Sequence, residues 1–263
     1  MKFDVSQANT FLFCPAMWEE KYVRKRALDE SQLSYLPGWV FGKRFHKLLE
    51  EHYTGKPAGP PEGRESEVED DCQVMLARYK AWYPEEAFEV VEWETNFEVP
   101  LSEKHSVTGR WDAIVRMKET GRLKILDTKT EKRGSKANTD QRWAALDQGS
   151  IYMYAGQEVF GEAFDGIILN VCTKASPKGQ VPPDFRRLNL ERSREQIDRA
   201  VSDFCKLGDV MEYALEHGAW QARNECINAM TGWRCEFHDL HLIGESPETL
   251  FKYREAEDYL NEH

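Results

Sequence analysis

The sequence predicts an α/β fold in which helices flank a central mixed sheet. Three observations carry this prediction: β-rich runs follow one another in the middle of the chain, helical patterns lie on both sides of them, and a further apolar strand follows a helix. With 263 residues, of which 41% are apolar, the chain is long enough to build one substantial core. We therefore expect a single domain over residues 1–263.

The first part of this domain, residues 1–85, is predicted to be helical. Ser6 is the candidate N-cap of the first helix, which a Cys-Pro pair interrupts. A Pro- and Gly-rich linker at 55–63 must interrupt any helix that enters it. The predicted helices cover about residues 6–23, 38–53 and 65–83.

The core, residues 86–175, is predicted to consist mainly of strands. Apolar and β-branched runs predict strands near 88–100, 106–117, 123–130 and 166–171, with a helix from about 140 to 160 before the last of them. The final part, residues 176–263, is predicted to be helical again. It comprises a turn at 176–183, an edge strand at 185–190, an amphipathic helix at 191–217 and an acidic helix or frayed tail at 248–263.

The charge balance restricts the way in which this chain can bind an anion. With 35 basic and 46 acidic residues the net charge is −11, which argues against binding nucleic acid by bulk attraction. Any such contact must be local, and basic runs occur at 21–26, 43–47 and 129–136. For the first run a solvated surface is the better interpretation.

Two aspartates and a lysine form the candidate catalytic group. Asp112 follows a Gly-Arg turn, and Asp127 and Lys129 close the next β-run, where alternation places them on one face. Two carboxylates that hold Mg²⁺ or Mn²⁺ can neutralise a phosphodiester and lower the pKa of a water, while a lysine adds a charge beside the phosphate. The sequence thus indicates a metal-dependent phosphodiesterase site. The alternative is an ordinary strand exit whose charges face solvent.

Four sequence blocks lie in order along the chain. They are an opening helix with Cys14-Pro15, a histidine motif from Gly42 to Glu50, the stretch Gly-Arg-Trp-Asp112 to Asp127-Thr-Lys129, and Gln148-x-x-x-Tyr152. Together they resemble the PD-(D/E)XK nuclease superfamily, specifically its RecB-like exonuclease branch, which includes the CRISPR-adaptation nucleases. The resemblance implies a restriction-endonuclease-like core of three strands, helix and strand, with helical elaborations at both ends.

The same resemblance implies a metal site. Carried over to this chain, it makes His46, Asp112 and Asp127 the metal ligands. The Thr128 carbonyl would be a further ligand, and Lys129 would be the catalytic lysine. Without the other blocks, a lone histidine on an amphipathic helix is more often structural.

Gln148 and Tyr152 are predicted to support catalysis. They lie four residues apart on one helical face, where an amide and a phenol could contact DNA phosphates or orient Lys129. The alternative is that Tyr152 is a core aromatic residue and Gln148 its solvated neighbour.

The cysteines suggest a second metal site. In relatives of the branch, one N-terminal and three C-terminal cysteines hold an iron–sulfur cluster. Cys14, Cys226 and Cys235 resemble three of these ligands, and His241 stands where the fourth cysteine is expected. The four residues could hold a 4Fe–4S cluster or Zn²⁺, or the cluster has been lost and packing closes the loops. The remaining cysteines, at 72, 172 and 205, are expected to be buried thiols.

The resemblance therefore predicts a Mg²⁺- or Mn²⁺-dependent deoxyribonuclease. We expect an exonuclease acting on DNA ends or single strands in recombination, repair or phage replication. The alternative is a DNA-binding or adaptation subunit that keeps the nuclease fold and acts through a partner. DNA is the expected partner, with a homo-oligomer or a recombination or replication protein as further candidates. The sequence shows no signal peptide and no membrane-spanning stretch, so we expect a reduced, cytoplasmic protein.

Overall fold

The computed structural model of the protein describes residues 1–28, 38–132, 147–176, 180–219, 235–246 and 253–255. Contacts along the chain divide it into two units. The terminal unit comprises Met1–Tyr35, Pro100–Thr108 and Val201–His263, and the central unit comprises Leu36–Val99 and Gly109–Ala200. The expectation of one domain over residues 1–263 stays a prediction.

The described residues form both α-helices and β-strands. The helices are α1 (Val5–Phe13), α2 (Pro15–Trp18), α3 (Gly38–Thr54), α4 (Glu69–Trp82), α5 (Asp147–Phe160), α6 (Arg194–His217) and α7 (His238–Ile243). The strands are β1 (Lys2–Asp4), β2 (Arg26–Leu28), β3 (Phe88–Pro100), β4 (Ser106–Met117), β5 (Leu123–Glu131), β6 (Phe164–Thr173), β7 (Asp184–Leu190) and β8 (Tyr253–Glu255). None of the helices described combines the length and apolar character that a bilayer crossing requires.

The central unit is built on a mixed sheet. Strand β4 pairs with β3 and runs antiparallel to β5, β5 runs parallel to β6, and β6 runs antiparallel to β7. Parallel neighbouring strands need a crossover connection, and α5 belongs to the crossover between β5 and β6. The predicted α/β fold with a central mixed sheet and flanking helices is therefore confirmed.

Both faces of this sheet are covered. Residues 125–128 of β5 are buried in succession, as is typical of a strand with packing on either side. Helices α3 and α4 form one core cluster with Cys172 of β6 and Phe185 of β7. Helix α5 approaches β6 closely, since a Cβ on Gly156 would lie 2.4 Å from the Phe164 ring.

In the terminal unit, short strands hold distant segments together. Strand β1 pairs in parallel with residues 106–108, and β2 pairs antiparallel with β8. The Phe3 ring stacks on Phe204 of α6, with 6.0 Å between the ring centroids. The strand β8 corrects our prediction of an acidic helix or tail at residues 253–255.

The start of the first helix also corrects the sequence analysis. Asp4, not Ser6, is the N-cap, because its carboxylate accepts a hydrogen bond from the Gln7 backbone N–H at 2.7 Å. The predicted interruption of this helical segment at the Cys-Pro pair is confirmed, because the chain is extended at Cys14. Pro15 then begins α2, at a position where a proline costs no helical hydrogen bond.

Candidate active site

The two predicted catalytic aspartates lie at the end of the β4–β5 ladder. The antiparallel register runs from Arg116 opposite Leu123 to Ala113 opposite Leu126, and the next positions are Asp112 and Asp127. Directly opposite residues of an antiparallel pair share one face of the sheet. The Asp112 carboxylate accepts a hydrogen bond from the Thr128 backbone N–H at 2.6 Å. The two carboxyl groups therefore project beside each other from neighbouring strands.

Lys129 joins this pair from the same face of β5. Its ammonium lies 2.9 Å from one carboxylate oxygen of Asp127 and donates at 3.0 Å to the side-chain oxygen of Gln148, the second residue of α5. Asp127 is almost entirely buried. The lysine is thus held between a carboxylate on its own strand and an amide on the following helix.

The charges of this group are coupled. Burial raises the pKa of the Asp127 carboxyl above its ordinary value, while Lys129 opposes that rise and Asp112 adds to it. Burial disfavours the Lys129 ammonium, but the carboxylates of Asp127 and Asp112 outweigh it and raise the pKa of the lysine. Lys129 is therefore positively charged at neutral pH, and the two carboxyl groups repel each other.

His46 reaches the group from α3. Its Nδ1 atom lies 3.7 Å from the Asp112 carboxylate. One helical turn earlier, a Cβ on Gly42 would lie 3.1 Å from the Thr130 hydroxyl, so the absence of a side chain lets α3 lie against β5. The predicted histidine is brought to the predicted carboxylates.

Tyr152 has a different environment. Its hydroxyl donates to the Arg110 carbonyl at 3.1 Å, and its ring meets Phe97 edge to face at 5.5 Å. The Tyr152 side chain is buried. The Arg110 carbonyl that it contacts belongs to β4, two residues before Asp112. A small pocket lies beside part of the group, and it is lined by Asp127, Lys129, Gln148, Gly149, Tyr152, Ile167 and Leu169.

Comparisons with known proteins identify the family of this chain. A family model described as the PD-(D/E)XK nuclease superfamily matches residues 2–240. The chain belongs to that superfamily. The membership confirms the predicted recognition at the level of the superfamily. The assignment to the RecB-like branch stays a prediction.

A solved structure with a TM-score of 0.50 shows the fold. A protein from Eubacterium rectale described as a "putative exonuclease" has a TM-score of 0.50 to this chain and 11% identity, with 85% of each chain covered. A structure named SSO0001 has a TM-score of 0.32 and 17% identity, over 68% of this chain and 81% of that one. None of the curated proteins matches the sequence.

Nucleases of the PD-(D/E)XK superfamily use divalent metals, and the residues present fit such an ion. Asp112 and Asp127 supply hard carboxylate oxygens, and His46 adds an imidazole. Burial and, to a smaller extent, the neighbouring Asp112 raise the pKa of the Asp127 carboxyl, and a divalent cation would stabilise the charged forms of both carboxylates. The donor set therefore suits Mg²⁺ or Mn²⁺.

A tighter group of candidate metal ligands lies elsewhere. Among the described residues, only His105, Asp209 and Glu212 have ligand atoms that all lie within 4.8 Å of one another. In the terminal unit these groups already have partners. The Met1 amino group lies 2.7 Å from Glu212 and 2.9 Å from His105, whose other ring nitrogen lies 3.1 Å from Asp209. This arrangement satisfies a buried histidine without any ion.

Two features of the central unit escaped the sequence analysis. Asn170 is fully buried on β6 and donates to the Thr128 hydroxyl at 3.2 Å, which fixes the side chain next to Asp127. The basic run at 43–47 is largely neutralised within the protein, since Arg44 forms an ion pair with Glu69 and Lys47 lies 3.0 Å from Glu65. A single asparagine in an apolar run does not indicate that its side chain bonds to a neighbouring strand. The ion pairs could not be predicted, because their carboxylates lie far from the basic run in the sequence.

The predicted terminal metal site is only partly described. Cys14 and Cys235 belong to one buried cluster with Met17, Phe237 and Leu240. His241 lies on α7, with its ring 6.4 Å from that of Phe237. The fourth predicted ligand, Cys226, lies outside the described residues. Among the remaining described cysteines, Cys72 and Cys172 are buried as predicted, whereas Cys205 is half-buried.

Proposed function

We propose that this PD-(D/E)XK protein is a metal-dependent DNA nuclease, and that it acts as an exonuclease on DNA ends or single strands in recombination, repair or phage replication. Membership of the superfamily supports hydrolysis of phosphodiester bonds. One observation carries the proposal: Asp112, Asp127 and Lys129 converge at the end of the β4–β5 ladder.

In this proposal the metal is Mg²⁺ or Mn²⁺. His46, Asp112 and Asp127 would hold it, with the Thr128 carbonyl as a further ligand. When bound, such a cation neutralises phosphate charge and lowers the pKa of a water molecule. The distance of 3.7 Å between His46 and Asp112 supports a shared site for the imidazole and the carboxylate.

The protein's own residues supply the remaining chemistry. The Lys129 ammonium, kept charged by its two acidic neighbours, stabilises negative charge that develops on the phosphate. Gln148 accepts a hydrogen bond from Lys129 and so holds the ammonium in place. Tyr152 acts through the backbone, because its hydroxyl holds the Arg110 carbonyl just before Asp112. We therefore assign Tyr152 a positioning role.

Matched substitutions test this assignment. The purified chain is expected to degrade end-labelled linear DNA with Mg²⁺ or Mn²⁺ and to stop in EDTA. Asp127→Asn and Lys129→Met should each lower kcat by about a hundredfold or more. Asp198→Asn and Lys206→Met alter exposed residues of α6 and should leave the rate unchanged. Full activity of the Lys129 variant would reject the role of the lysine.

The main alternative is a DNA-binding or adaptation subunit that acts through a partner. It is separated from the nuclease by the same assay, since a pure binder retains DNA in metal and leaves it whole. Closed circular DNA compared with its linear form distinguishes an exonuclease, which needs an end, from an endonuclease. A homo-oligomer or a partner protein in recombination or replication, and a cytoplasmic location, stay predictions.

We also propose a terminal metal centre formed by Cys14, Cys226, Cys235 and His241, which would hold either a 4Fe–4S cluster or Zn²⁺. The common burial of Cys14 and Cys235 supports it, although close packing of Phe237 supports the alternative of a closed, metal-free cluster. Metal analysis and visible absorption of anaerobically purified protein decide among the three. Cys14→Ser should remove the metal, whereas Cys205→Ser, at a half-buried thiol, should retain it.

A further inference from the structure

One exposed face of α3 carries an aromatic ring and a cation in line with His46. Trp39, Lys43 and His46 are spaced by four and then three residues, which places them on the same side of the helix. Trp39 is 46% exposed, whereas Trp18 and Trp111 are fully buried. A large apolar ring left in water on this face is a candidate contact for a ligand.

Lys43 differs from its basic neighbours on α3. Arg44 is buried against Glu69, and Lys47 lies 3.0 Å from both Glu62 and Glu65. Lys43 is exposed and forms no ion pair with any described residue. Of these three cations it is therefore the one whose charge is available to an anionic ligand.

We propose that Trp39 stacks on an unpaired base of the substrate strand and that Lys43 binds the adjacent phosphate, so that this face of α3 guides single-stranded DNA to the active site. The inference rests on the proposed nuclease function and names its substrate class. Seven residues of helix separate Trp39 from His46, about 10 Å at ~1.5 Å per residue. A strand that keeps a stacked rise of ~3.4 Å per nucleotide covers that length in about three nucleotides.

Stacking explains why the ligand is a single strand. Every base has a face that can stack on an aromatic ring, and this contact does not depend on sequence. Inside a duplex those faces are occupied by neighbouring bases, so a ring at the surface reaches them only where the strand is unpaired. Lys43, the exposed cation on this face among the residues that the structure describes, suits one phosphate rather than the extended backbone of a duplex.

The test separates base contacts from phosphate contacts. Fluorescence anisotropy in EDTA measures the binding of a labelled oligothymidylate and of a strand of equal length and charge that carries abasic positions. Trp39→Ala should weaken binding of the oligothymidylate about tenfold and change that of the abasic strand less than about twofold. Trp39→Phe should retain most of the affinity. Trp82→Ala, which removes a 54% exposed tryptophan from α4, is the matched control and should have no effect.

Lys43→Gln should behave differently, because it removes a phosphate contact. It should weaken the binding of both strands by the same factor. The slope of log affinity against log salt should become shallower by the contribution of about one phosphate contact. Loss of affinity in Trp39→Ala on both strands alike, or on neither, would overturn the stacking role. A change of oligomeric state in Trp39→Ala with unaltered DNA affinity would instead show that the ring packs against a second copy, and would also overturn it.

These outcomes are distinct from failure of the nuclease proposal. If the wild-type chain cleaves DNA in Mg²⁺ while Trp39→Ala binds oligothymidylate normally, only the stacking inference fails. If the wild-type chain binds the strand through Trp39 but never cleaves it, the nuclease proposal fails and the stacking inference stands.

Discussion

At the scale of single residues, the active site depends on how Lys129 is held. Asp127 and Gln148 approach its ammonium from two different elements, at 2.9 Å and 3.0 Å. The amide carries no charge, so its contribution is to fix the position of the lysine and not to tune its charge. Gln148 could equally contact a substrate phosphate directly, and these two roles make different predictions.

A double-mutant cycle distinguishes them. Gln148→Leu should lower kcat about tenfold, because the ammonium loses one of its two anchors. In the Lys129→Met background the same substitution should cost nothing, since there is no ammonium left to hold. Single-turnover rates with Mn²⁺ measure both steps of the cycle. An undiminished tenfold loss in the Lys129→Met background would show that the amide acts on the substrate itself.

The sequence allowed us to predict the charged residues of the candidate site, but not the uncharged side chain that supports them. Alternation alone put Asp127 and Lys129 on one face, and the structure has them there. Asn170 was missed, because a buried amide that donates to the side chain of the next strand leaves no periodic signal. Ion pairing of Arg44 and Lys47 was also missed, since it depends on acidic residues that reach them only through folding.

At the scale of elements, the closeness of α3 to β5 determines whether His46 reaches the carboxylates. A Cβ on Gly42 would meet the Thr130 hydroxyl at 3.1 Å, whereas one on Gly38, in the same helix, would meet nothing within 4 Å. The absence of a side chain at Gly42 therefore lets α3 lie close to β5, whereas the absence of one at Gly38 does not affect this distance. This difference within one helix permits an internally controlled test.

Gly42→Ala should lower kcat about tenfold and weaken Mn²⁺ activation, because the helix moves away from the strand. Stability should not fall, since alanine favours a helix by up to about 1 kcal/mol over glycine. Gly38→Ala should preserve activity. Adding Thr130→Ala to Gly42→Ala removes the crowding atom and should restore most of the rate. Lack of rescue would mean that the glycine matters for some reason other than this contact.

A second element-scale device joins helices to the edge of the sheet. Arg187 on β7 forms an ion pair with Glu86 at 2.5 Å, donates to the Tyr79 hydroxyl at 3.0 Å and lies 3.7 Å from the centre of the Tyr83 ring. Both charged side chains are more than four-fifths buried. The contacts fasten α4 and the start of β3 to β7.

Removing the cation should be costly. Arg187→Met leaves Glu86 buried without its partner, and we expect a loss of about 3 kcal/mol in the free energy of unfolding. Arg194→Met breaks an exposed pair with Asp198 and should cost at most about 0.5 kcal/mol. Urea denaturation with an unchanged m-value measures both. Equal effects of the two substitutions would show that the buried pair contributes no more than a surface one.

Element boundaries were largely predictable, and the exceptions have local causes. Strands β3 and β4 occupy the residues that their alternating patterns indicated, because one-residue shifts would expose the apolar face. The first helical segment was predicted with its break at Cys14-Pro15, but its N-cap was assigned to the wrong residue. Both Asp4 and Ser6 are good caps, and only the pairing of β1 with residues 106–108 selects the earlier one.

At the scale of the whole molecule, four ordered blocks were enough to predict the superfamily, but not the division of the chain. The terminal unit gathers three segments that are far apart in sequence, and its boundary with the central unit falls inside β4. No local sequence pattern can predict this division. It depends on contacts among segments that are far apart in the chain, such as that of Met1 with Glu212.

The net charge of −11 makes a last prediction about the protein as a DNA-binding molecule. Two basic runs are largely neutralised internally, by the ion pairs of Arg24 and Arg26 with Glu245 and by those of the run at 43–47. Few cations of these two runs then remain to displace counterions from DNA. We expect two to four phosphate contacts and hence a slope of log affinity against log salt of about −1 to −3 for a single strand.

Anisotropy titrations in EDTA from about 50 to 200 mM salt measure this slope. Added Ca²⁺ or Mg²⁺ should strengthen binding, because a divalent cation at Asp112 and Asp127 converts a repulsive site into one that accepts phosphate. Asp127→Asn serves as the control, since it should weaken the response to metal while leaving the slope in EDTA unchanged. A slope steeper than about −5 would contradict local recognition, because it would require about seven phosphate contacts.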